Sequence, residues 1–578
     1  MKHKKLITLA LTLPLVAVVA GCSKTKVDPD AVLPENQRHF YDEEEKVTLR
    51  QVVHDGEKQG NPAPTKGNTR VLVIPVEFSD FPAEEIGMYY GGEGGTVHYD
   101  GSTPGKEPGT GRGADNALID INNTYFGNPE DTAWHSLSSY YRESSYGKLN
   151  FNGIVLPWGP AFTNFNTKAM VSAKEFKDNG GSAKQLALDY LDWYANYNKW
   201  KEIKDEHGNQ MFKSGSEFLK YFDSDSDGYV DLVELVYSAP YHAQYKDAGK
   251  WKEIDNDLFW AYCGSTSLNP NPNKPNMSKY AFQSYYTMVE GGYTDPVTGK
   301  HKNWIPADIS AGLAKVDAHT IIHETGHGLG LPDYYSTDAQ SGQTSGAVDM
   351  MAFNIGDHDS HSKSLLGWVD PVVVKGPTEV KVRSFTDTGD CIYIPYRGYY
   401  DDGSDIDKKY KNTFNTEYIA IEYMTPTGVN LHDSLENYNG TYPLVPNQAG
   451  VKIYHVDSRL GVMDYSAYPS IKLVSYTSSI VSVSSSNVMV THAHTNTPST
   501  TQKNAKGNYC WQLEYLYKDF VKRPAYITND SLYQAGDVIF SGDYYADYEF
   551  NSGNKFGYKV TIKSIDSEGA TILIEAAK

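Results

Sequence analysis

Residues that could bind and use a metal ion are concentrated between residues 323 and 333, in the sequence HETGHGLGLPD. His323 and His327 are four residues apart, so on a helix they share one face and can direct two imidazoles at one ion. Glu324 lies where its carboxylate can reach a water on that ion. Gly330 can adopt the left-handed conformation that ends a helix, which lets the chain turn back and bring Asp333 to the ion. Three protein ligands and one open position are typical of a catalytic Zn²⁺ site.

This motif requires a half-buried helix, and the residues that precede it predict one. The sequence VDAHTII at residues 316–322 carries apolar residues one turn away from the histidines. That spacing is typical of an amphipathic helix. A bare HExxH also occurs by chance, but the helix, the glycine and the following carboxylate together favour a metal site.

A second metal-binding pattern lies at residues 223–234, in the sequence DSDSDGYVDLVE. Neighbouring acids repel one another unless a cation neutralises them, and this spacing with a central glycine is that of a calcium loop. Residues 229–237 alternate like a strand rather than continuing as the helix of an EF-hand, which favours a structural Ca²⁺. The expected ligands are the side chains of Asp223, Asp225, Asp227, Asp231 and Glu234 and the carbonyl of Tyr229.

The first 22 residues have the features of an export signal. Three lysines, Lys2, Lys4 and Lys5, precede an apolar stretch that is too short for a stable membrane-spanning helix. Small residues then lead to Cys22, which resembles the lipidation site of bacterial lipoproteins. We predict a signal peptide over residues 1–21, a lipid anchor at Cys22 and a polar tether over residues 22–67. An ordinary cleaved signal peptide is the alternative.

The charge of the chain limits its partners. The 578 residues carry a formal net charge of −20. Nucleic-acid binding needs clustered lysine and arginine, so the composition argues against it. No later segment is apolar enough to cross a membrane, so we expect membrane contact only through the lipid anchor, in an exported protein of the cell envelope or cell surface.

Several segments resemble the M6 (immune inhibitor A-like) metallopeptidases of the metzincin group. They are the zinc motif itself, VLVIPVEFSD at 71–80, SSYYRESSYGK at 138–148 and VDMM at 348–351. The resemblance implies a catalytic domain over residues 68–372 that contains the calcium loop. It also implies that Met351 packs beneath the histidines, and His358 is a further candidate for supporting the site.

Beyond residue 372 the pattern changes to short alternating strands separated by turn residues. They lie near residues 372–382, 417–423, 451–456, 471–483 and 559–574. We therefore predict an α+β protein, in which a metzincin-like zinc metalloprotease domain is followed by an all-β, sandwich-like region over residues 373–578.

These features together predict a zinc metalloendopeptidase that hydrolyses peptide bonds of extracellular proteins. Glu324 would act as the general base toward a metal-activated water. The substrates would be proteins or peptides, and a glycoprotein substrate is compatible with the pattern. Two alternatives stay open. The chain could be a surface lipoprotein that binds protein or glycan through an inactive or latent metalloprotease domain, or an enzyme that cleaves a non-peptide amide or a glycan.

Overall fold

The computed structural model describes most of the chain from residue 62 onward. The described residues are 62–87, 111–205, 207–240, 260–289, 315–335, 344–374, 376–395, 417–438, 442–457, 511–518, 524–542, 544–551 and 553–577, with a few short strands and single residues between them. The predicted signal peptide, Cys22 and the tether up to residue 61 lie outside this part. Within it, no helix combines the length and the hydropathy needed to span a bilayer.

Helices and strands alternate through the first two thirds of the chain, and strands dominate the last third. The α-helices are α1 (Ala114–Phe126), α2 (Leu137–Ser144), α3 (Ala173–Asp178), α4 (Ala183–Asn196), α5 (Gly215–Tyr221), α6 (His319–Gly328), α7 (Met350–Phe353), α8 (Ser360–Leu365), α9 (Phe385–Thr388) and α10 (Asn430–Asp433). Short 3-10 helices lie at Ala83–Glu85, Lys199–Glu202, Tyr285–Val289 and Asn529–Ser531.

The strands are numbered along the chain in two groups. Those before α6 are β1 (Gly67–Glu77), β2 (Val97–Tyr99), β3 (Leu149–Val155), β4 (Gly159–Pro160), β5 (Tyr229–Val230), β6 (Leu232–Tyr237), β7 (Ala243–Asp247), β8 (Lys250–Glu253), β9 (Tyr262–Ser265), β10 (Asn276–Met277), β11 (Lys279–Ser284), β12 (Tyr293–Thr294) and β13 (His301–Lys302). Those after α6 are β14 (Val372–Val373), β15 (Thr378–Val382), β16 (Cys391–Ile394), β17 (Glu417–Met424), β18 (Gly450–Asp457), β19 (Val481–Ser484), β20 (Asn487–Val490), β21 (Leu513–Tyr515), β22 (Val538–Ile539), β23 (Tyr558–Asp566) and β24 (Gly569–Ala576).

A mostly parallel sheet supports the predicted zinc motif. Its order is β3-β1-β6-β11-β9, with β4 also paired to β1, and β9 runs antiparallel to β11. Residues 71–76 of β1 are all buried, as expected for a strand that is covered on both faces. Helix α6 packs against β9 and β11. The arrangement of helices and sheets is α+β, as predicted.

Two further sheets follow, and one of them shares a core with the first part of the chain. The five-stranded sheet has the order β14-β16-β17-β18-β21, and the four-stranded sheet has the order β15-β24-β23-β22. On β17, Ile419 and Ile421 belong to a cluster with the four-stranded sheet, whereas Tyr418 and Ala420 belong to the same cluster as Ile322 of α6. The predicted boundary at residue 372 therefore does not separate two independent cores.

The start of the folded part also differs from the prediction. Residues 62–67 were assigned to the tether, but the N–H of Ala63 donates to the Gly328 carbonyl at 3.0 Å. Trp368 Nε1 donates to the Thr65 carbonyl at 2.7 Å. The proline- and glycine-rich composition indicated a linker, but these non-local hydrogen bonds fix the segment against the end of α6 and the loop after α8.

Candidate metal centre

Helix α6 ends where the predicted glycine turn lies. Gly330 has a φ of +97°, and Leu329 is the C-cap residue of the helix. The N–H of Gly330 donates to the His327 carbonyl and that of Leu331 donates to the Gly326 carbonyl, each at 3.0 Å. This pair of bonds is a Schellman motif, which reverses the chain after the helix. The predicted turn is confirmed.

The reversal brings the three predicted zinc ligands together. The Nε2 atoms of His323 and His327 lie 3.0 and 3.1 Å from the same oxygen, Oδ1 of Asp333. This group is one of two in the described residues in which three metal-binding side chains meet within 4.8 Å. Burial raises the pKa of Asp333, but the two histidines outweigh that effect and hold it well below its ordinary value.

The hydrogen bonds behind the two rings define which ring nitrogen faces the centre. His323 Nδ1 lies 2.8 Å from the Met350 carbonyl, and His327 Nδ1 lies 2.7 Å from the Leu331 carbonyl. A carbonyl can only accept, so both Nδ1 atoms carry a hydrogen, and in the neutral imidazoles both Nε2 atoms then present a lone pair to the centre. In that form a cation between the two lone pairs and the carboxylate oxygen would be bound by all three side chains. Two imidazoles and one carboxylate are a donor set that suits zinc.

Glu324 is buried beside this group. Burial raises its pKa, while His323 and His327 lower it. Its carboxylate accepts a hydrogen bond from the backbone N–H of Cys263 on the edge strand β9. The predicted base is therefore held between the helix and the strand next to it.

Met351 packs directly on α6. It is fully buried, and a Cβ added to Gly326 would lie 2.4 Å from its Sδ. Because Gly326 lies between His323 and His327 on α6, the methionine supports the helix segment that carries both. The expectation of an apolar floor at this point agrees with the packing.

His358 reaches the helix through an aromatic residue. Its ring lies 5.8 Å from that of Tyr141 and 6.0 Å from that of Trp368. Tyr141 in turn donates from its hydroxyl to the Ile322 carbonyl of α6 at 2.7 Å. Burial holds the pKa of His358 well below its ordinary value, and neither ring nitrogen has a hydrogen-bond partner among the described residues. His358 is thus a neutral packing group behind the site.

One turn before the motif, His319 forms a buried cluster that the sequence did not reveal. Its Nδ1 lies 2.7 Å from Asp317 Oδ1, and its Nε2 lies 3.1 Å from Asp433 Oδ1. The ring stacks between Trp134 at 4.0 Å and Tyr438 at 4.3 Å. Burial lowers the pKa of His319, but the two carboxylates prevail and raise it to about 10. The helix start is therefore tied by charge to α10.

Tyr335 also borders the metal centre. Its ring lies 6.5 Å from that of His323 with an interplanar angle of 24°. Its hydroxyl forms a hydrogen bond with Asp333, and burial together with that carboxylate raises its pKa. In the sequence, the only indication that Tyr335 borders the site is its position two residues after Asp333, the third predicted ligand.

The predicted calcium loop brings together three of its carboxylates. Oxygens of Asp223, Asp225 and Asp231 lie within 4.8 Å of one another. Oδ1 of Asp223 is buried, and no described group donates to it. Burial raises the pKa of Asp223, and it raises that of Asp231 to about 7. A bound cation would satisfy the orphaned oxygen and offset the buried charge.

The other predicted loop ligands are placed differently. Asp227 lies outside this group, and its Oδ1 accepts the N–H of Tyr229 at 2.8 Å. Glu234 is fully buried, and its Oε1 accepts the Thr325 hydroxyl of α6 at 3.3 Å. The assignment of Glu234 to calcium is therefore corrected. Glu234 is the third residue of β6, which begins at Leu232 after the loop, and its carboxyl is directed toward α6.

Comparison with known proteins adds no relative from which a function could be carried over. The chain matches no protein-family model, and no curated protein gives a significant match.

Proposed function

We propose that this chain is a zinc metalloendopeptidase, similar to the M6 family, that hydrolyses peptide bonds of extracellular proteins. The observation that carries the proposal is the convergence of His323 Nε2, His327 Nε2 and Asp333 Oδ1 next to the buried carboxyl of Glu324. In this proposal residues 68–372 form a metzincin-like catalytic domain, and residues 373–578 form an all-β, sandwich-like region.

The chain's own groups would divide the work of hydrolysis. Zinc held by the two histidines and Asp333 would supply the Lewis acidity that activates a water and polarises the peptide carbonyl. Glu324 would take the proton from the attacking water and pass it to the leaving amine. Cys263 holds the Glu324 carboxylate through its backbone N–H. The Met350 and Leu331 carbonyls keep both imidazoles in the tautomer that can bind the metal.

We further propose a structural Ca²⁺ bound by Asp223, Asp225 and Asp231. The orphaned Asp223 oxygen supports this site. We also propose that the chain is exported as a bacterial lipoprotein anchored at Cys22. Its substrates would be proteins or peptides, glycoproteins included, and it would contact the membrane only through the anchor and would not bind nucleic acid. The N-terminal lysines and the net charge of −20 support these points.

The test is hydrolysis of casein and of a quenched-peptide library by a soluble form that begins at residue 23. It is run with and without 1,10-phenanthroline, and beside Glu324→Ala and His323→Ala. We expect cleavage in the untreated wild type only. Glu324→Ala should keep bound zinc, whereas His323→Ala should lose it. The matched control is Glu202→Ala, which changes an exposed acid and should cleave normally.

Two results would overturn the proposal. Cleavage by Glu324→Ala would remove the assigned base. Absence of any cleavage by folded, zinc-loaded wild type would favour a binding lipoprotein, and a glycan array together with a protein-binding screen would then be the next measurement.

A further inference from the structure

The carboxyl of Glu234 joins the catalytic helix to the central sheet. Strand β6 lies between β1 and β11, and Glu234 is 0% exposed. Its Oε2 accepts the hydroxyl of Tyr125 at 3.1 Å and the amide of Gln283 at 3.3 Å, and its Oε1 accepts the hydroxyl of Thr325 at 3.3 Å. The donors belong to α1, β11 and α6, so one side chain connects three other elements.

The surroundings favour the neutral form of this carboxyl. The titratable groups that face it are Tyr125, Tyr141 and Glu324, and none of them is a cation. Burial raises the pKa of Glu234 to about 8. Oε1 of Gln283 is buried without a hydrogen-bond partner among the described residues.

Glu234 is a polar exception on its face of the strand. Leu232 and Val236, its neighbours on the same face of β6, are buried apolar side chains. What Glu234 provides is a fixed partner for Thr325. Thr325 follows Glu324 directly and lies two residues from each of the proposed histidine ligands.

We infer that Glu234 is a positioning residue for the proposed active site, because it holds Thr325 and thereby fixes Glu324 and the two histidines relative to the sheet. The inference rests on the proposed hydrolytic function for its kinetic test. A small displacement of groups around a reacting centre lowers the rate steeply, by about 100-fold for 1 Å. Loss of the hydrogen bond between Glu234 and Thr325 should therefore lower kcat more than it changes KM.

The variants that test the inference separate the hydrogen bond from the packing. Glu234→Gln keeps the shape and an acceptor, Glu234→Leu removes the polar group, and Thr325→Val removes only the hydroxyl that Glu234 accepts. Thr325→Ser is the matched control because it retains that hydroxyl. Each is assayed on a quenched peptide that the wild type cleaves, with the unfolding midpoint measured alongside.

We expect Glu234→Leu and Thr325→Val to lower kcat by about 10- to 100-fold while KM changes less than about threefold. Glu234→Gln and Thr325→Ser should keep most of the wild-type kcat, because each retains a hydrogen bond between residues 234 and 325. The double variant Glu234→Leu/Thr325→Val should be no slower than Glu234→Leu alone, because that change already removes the hydrogen bond to Thr325. Wild-type kcat in folded Thr325→Val would overturn the inference.

A second readout does not depend on hydrolysis. Cobalt(II) added in place of zinc reports ligand geometry through its visible absorption bands. The bands should shift in Glu234→Leu and Thr325→Val and stay unchanged in Glu234→Gln. If the wild type cleaves nothing but these shifts occur, the proposed function fails and the positioning role stands. Unchanged bands in both folded variants would overturn the positioning role whatever the activity.

Calcium provides the last distinction. If Glu234 were a calcium ligand, Glu234→Gln would reduce the rise in unfolding temperature on addition of calcium. If Glu234 is a positioning residue, calcium should raise the unfolding temperature of Glu234→Gln as much as that of the wild type. The same addition should not raise the unfolding temperature of Asp223→Asn. A smaller rise in Glu234→Gln would overturn the inference.

Discussion

Replacing Asp231 with asparagine should stabilise the calcium-free protein, although it removes a proposed calcium ligand. Asp231 is 4% exposed, and its two oxygens accept the N–H groups of Arg70 at 2.8 Å and Ser224 at 3.0 Å. Burial raises its pKa from the ordinary 3.8 to about 7. Without a cation, its ionised form therefore opposes folding at neutral pH.

The size of this effect follows from the pKa shift. A rise from 3.8 to about 7 corresponds to about 4 kcal/mol, at 1.36 kcal/mol for each pH unit. Because the folded pKa is the higher one, the penalty is absent below pH 3.8, grows as the pH rises and is complete above about pH 7. Asparagine can replace only one of the two acceptor oxygens, which costs about 1 kcal/mol. The net gain expected for calcium-free Asp231→Asn at pH 8 is about 3 kcal/mol.

Urea unfolding in EGTA and in calcium, at pH 8 and pH 4.5, measures this directly. In EGTA the free energy of unfolding of Asp231→Asn should exceed that of the wild type at pH 8 and approach it at pH 4.5. Calcium should stabilise the wild type strongly and the variant little. Asp225→Asn is the control, because this exposed acid should change the response to calcium but not the calcium-free stability. A variant less stable than the wild type in EGTA at pH 8 would refute the reasoning.

Three further substitutions test the setting of α6. Gly326→Ala places a Cβ 2.4 Å from Met351 Sδ, so overpacking should lower the free energy of unfolding by about 1–3 kcal/mol and reduce peptide cleavage. Gly330→Ala forces a side chain into a φ of +97°, which costs about 1–2 kcal/mol and should weaken zinc binding in equilibrium dialysis. Asp433→Asn removes one of the two carboxylates that pair with the buried His319 and should lower the free energy of unfolding by about 2 kcal/mol in urea. If any of the three variants matches the wild type in the property measured for it, the structural role assigned to that residue is wrong.

The convergence of His323, His327 and Asp333 could be predicted from the sequence because the information is local. Helical spacing places His323 and His327 on one face, and Gly330 needs only its own conformational freedom to turn the chain back to Asp333. All of this lies within eleven residues. The geometry agrees with the prediction at each of these positions, including the left-handed glycine.

Glu234 was misassigned because the loop pattern was extended by one position too many. In an EF-hand, positions nine and twelve share the face of a helix, so both can reach the ion. The strand character of residues 229–237 was visible in the sequence. Glu234 lies within β6, where its carboxyl accepts the Thr325 hydroxyl of α6 instead of reaching the loop.

The contacts that join distant parts of the chain could not be predicted from spacing. His319 and Asp433 are 114 residues apart, and neither lies in a recognisable motif. The strands near residues 417–423 and 451–456 were predicted, and the structure places them at Glu417–Met424 and Gly450–Asp457. Both strands are buried along their whole length, because one face of their sheet packs on the first part of the chain.

Helix α6 therefore depends on residues from both sides of the predicted boundary at residue 372. Asp433 holds the start of α6 through His319, whereas Glu234 holds its middle through Thr325. Asp433 also accepts the N–H of Gly356, which lies just after α7, at 2.7 Å. Helix α7 contains Met350, whose backbone carbonyl orients the ring of His323. A chain that ended at residue 372 would leave the His319 cation with one carboxylate and would free the loop after α7. The β-rich region is consequently part of what shapes the site, rather than a module appended to it.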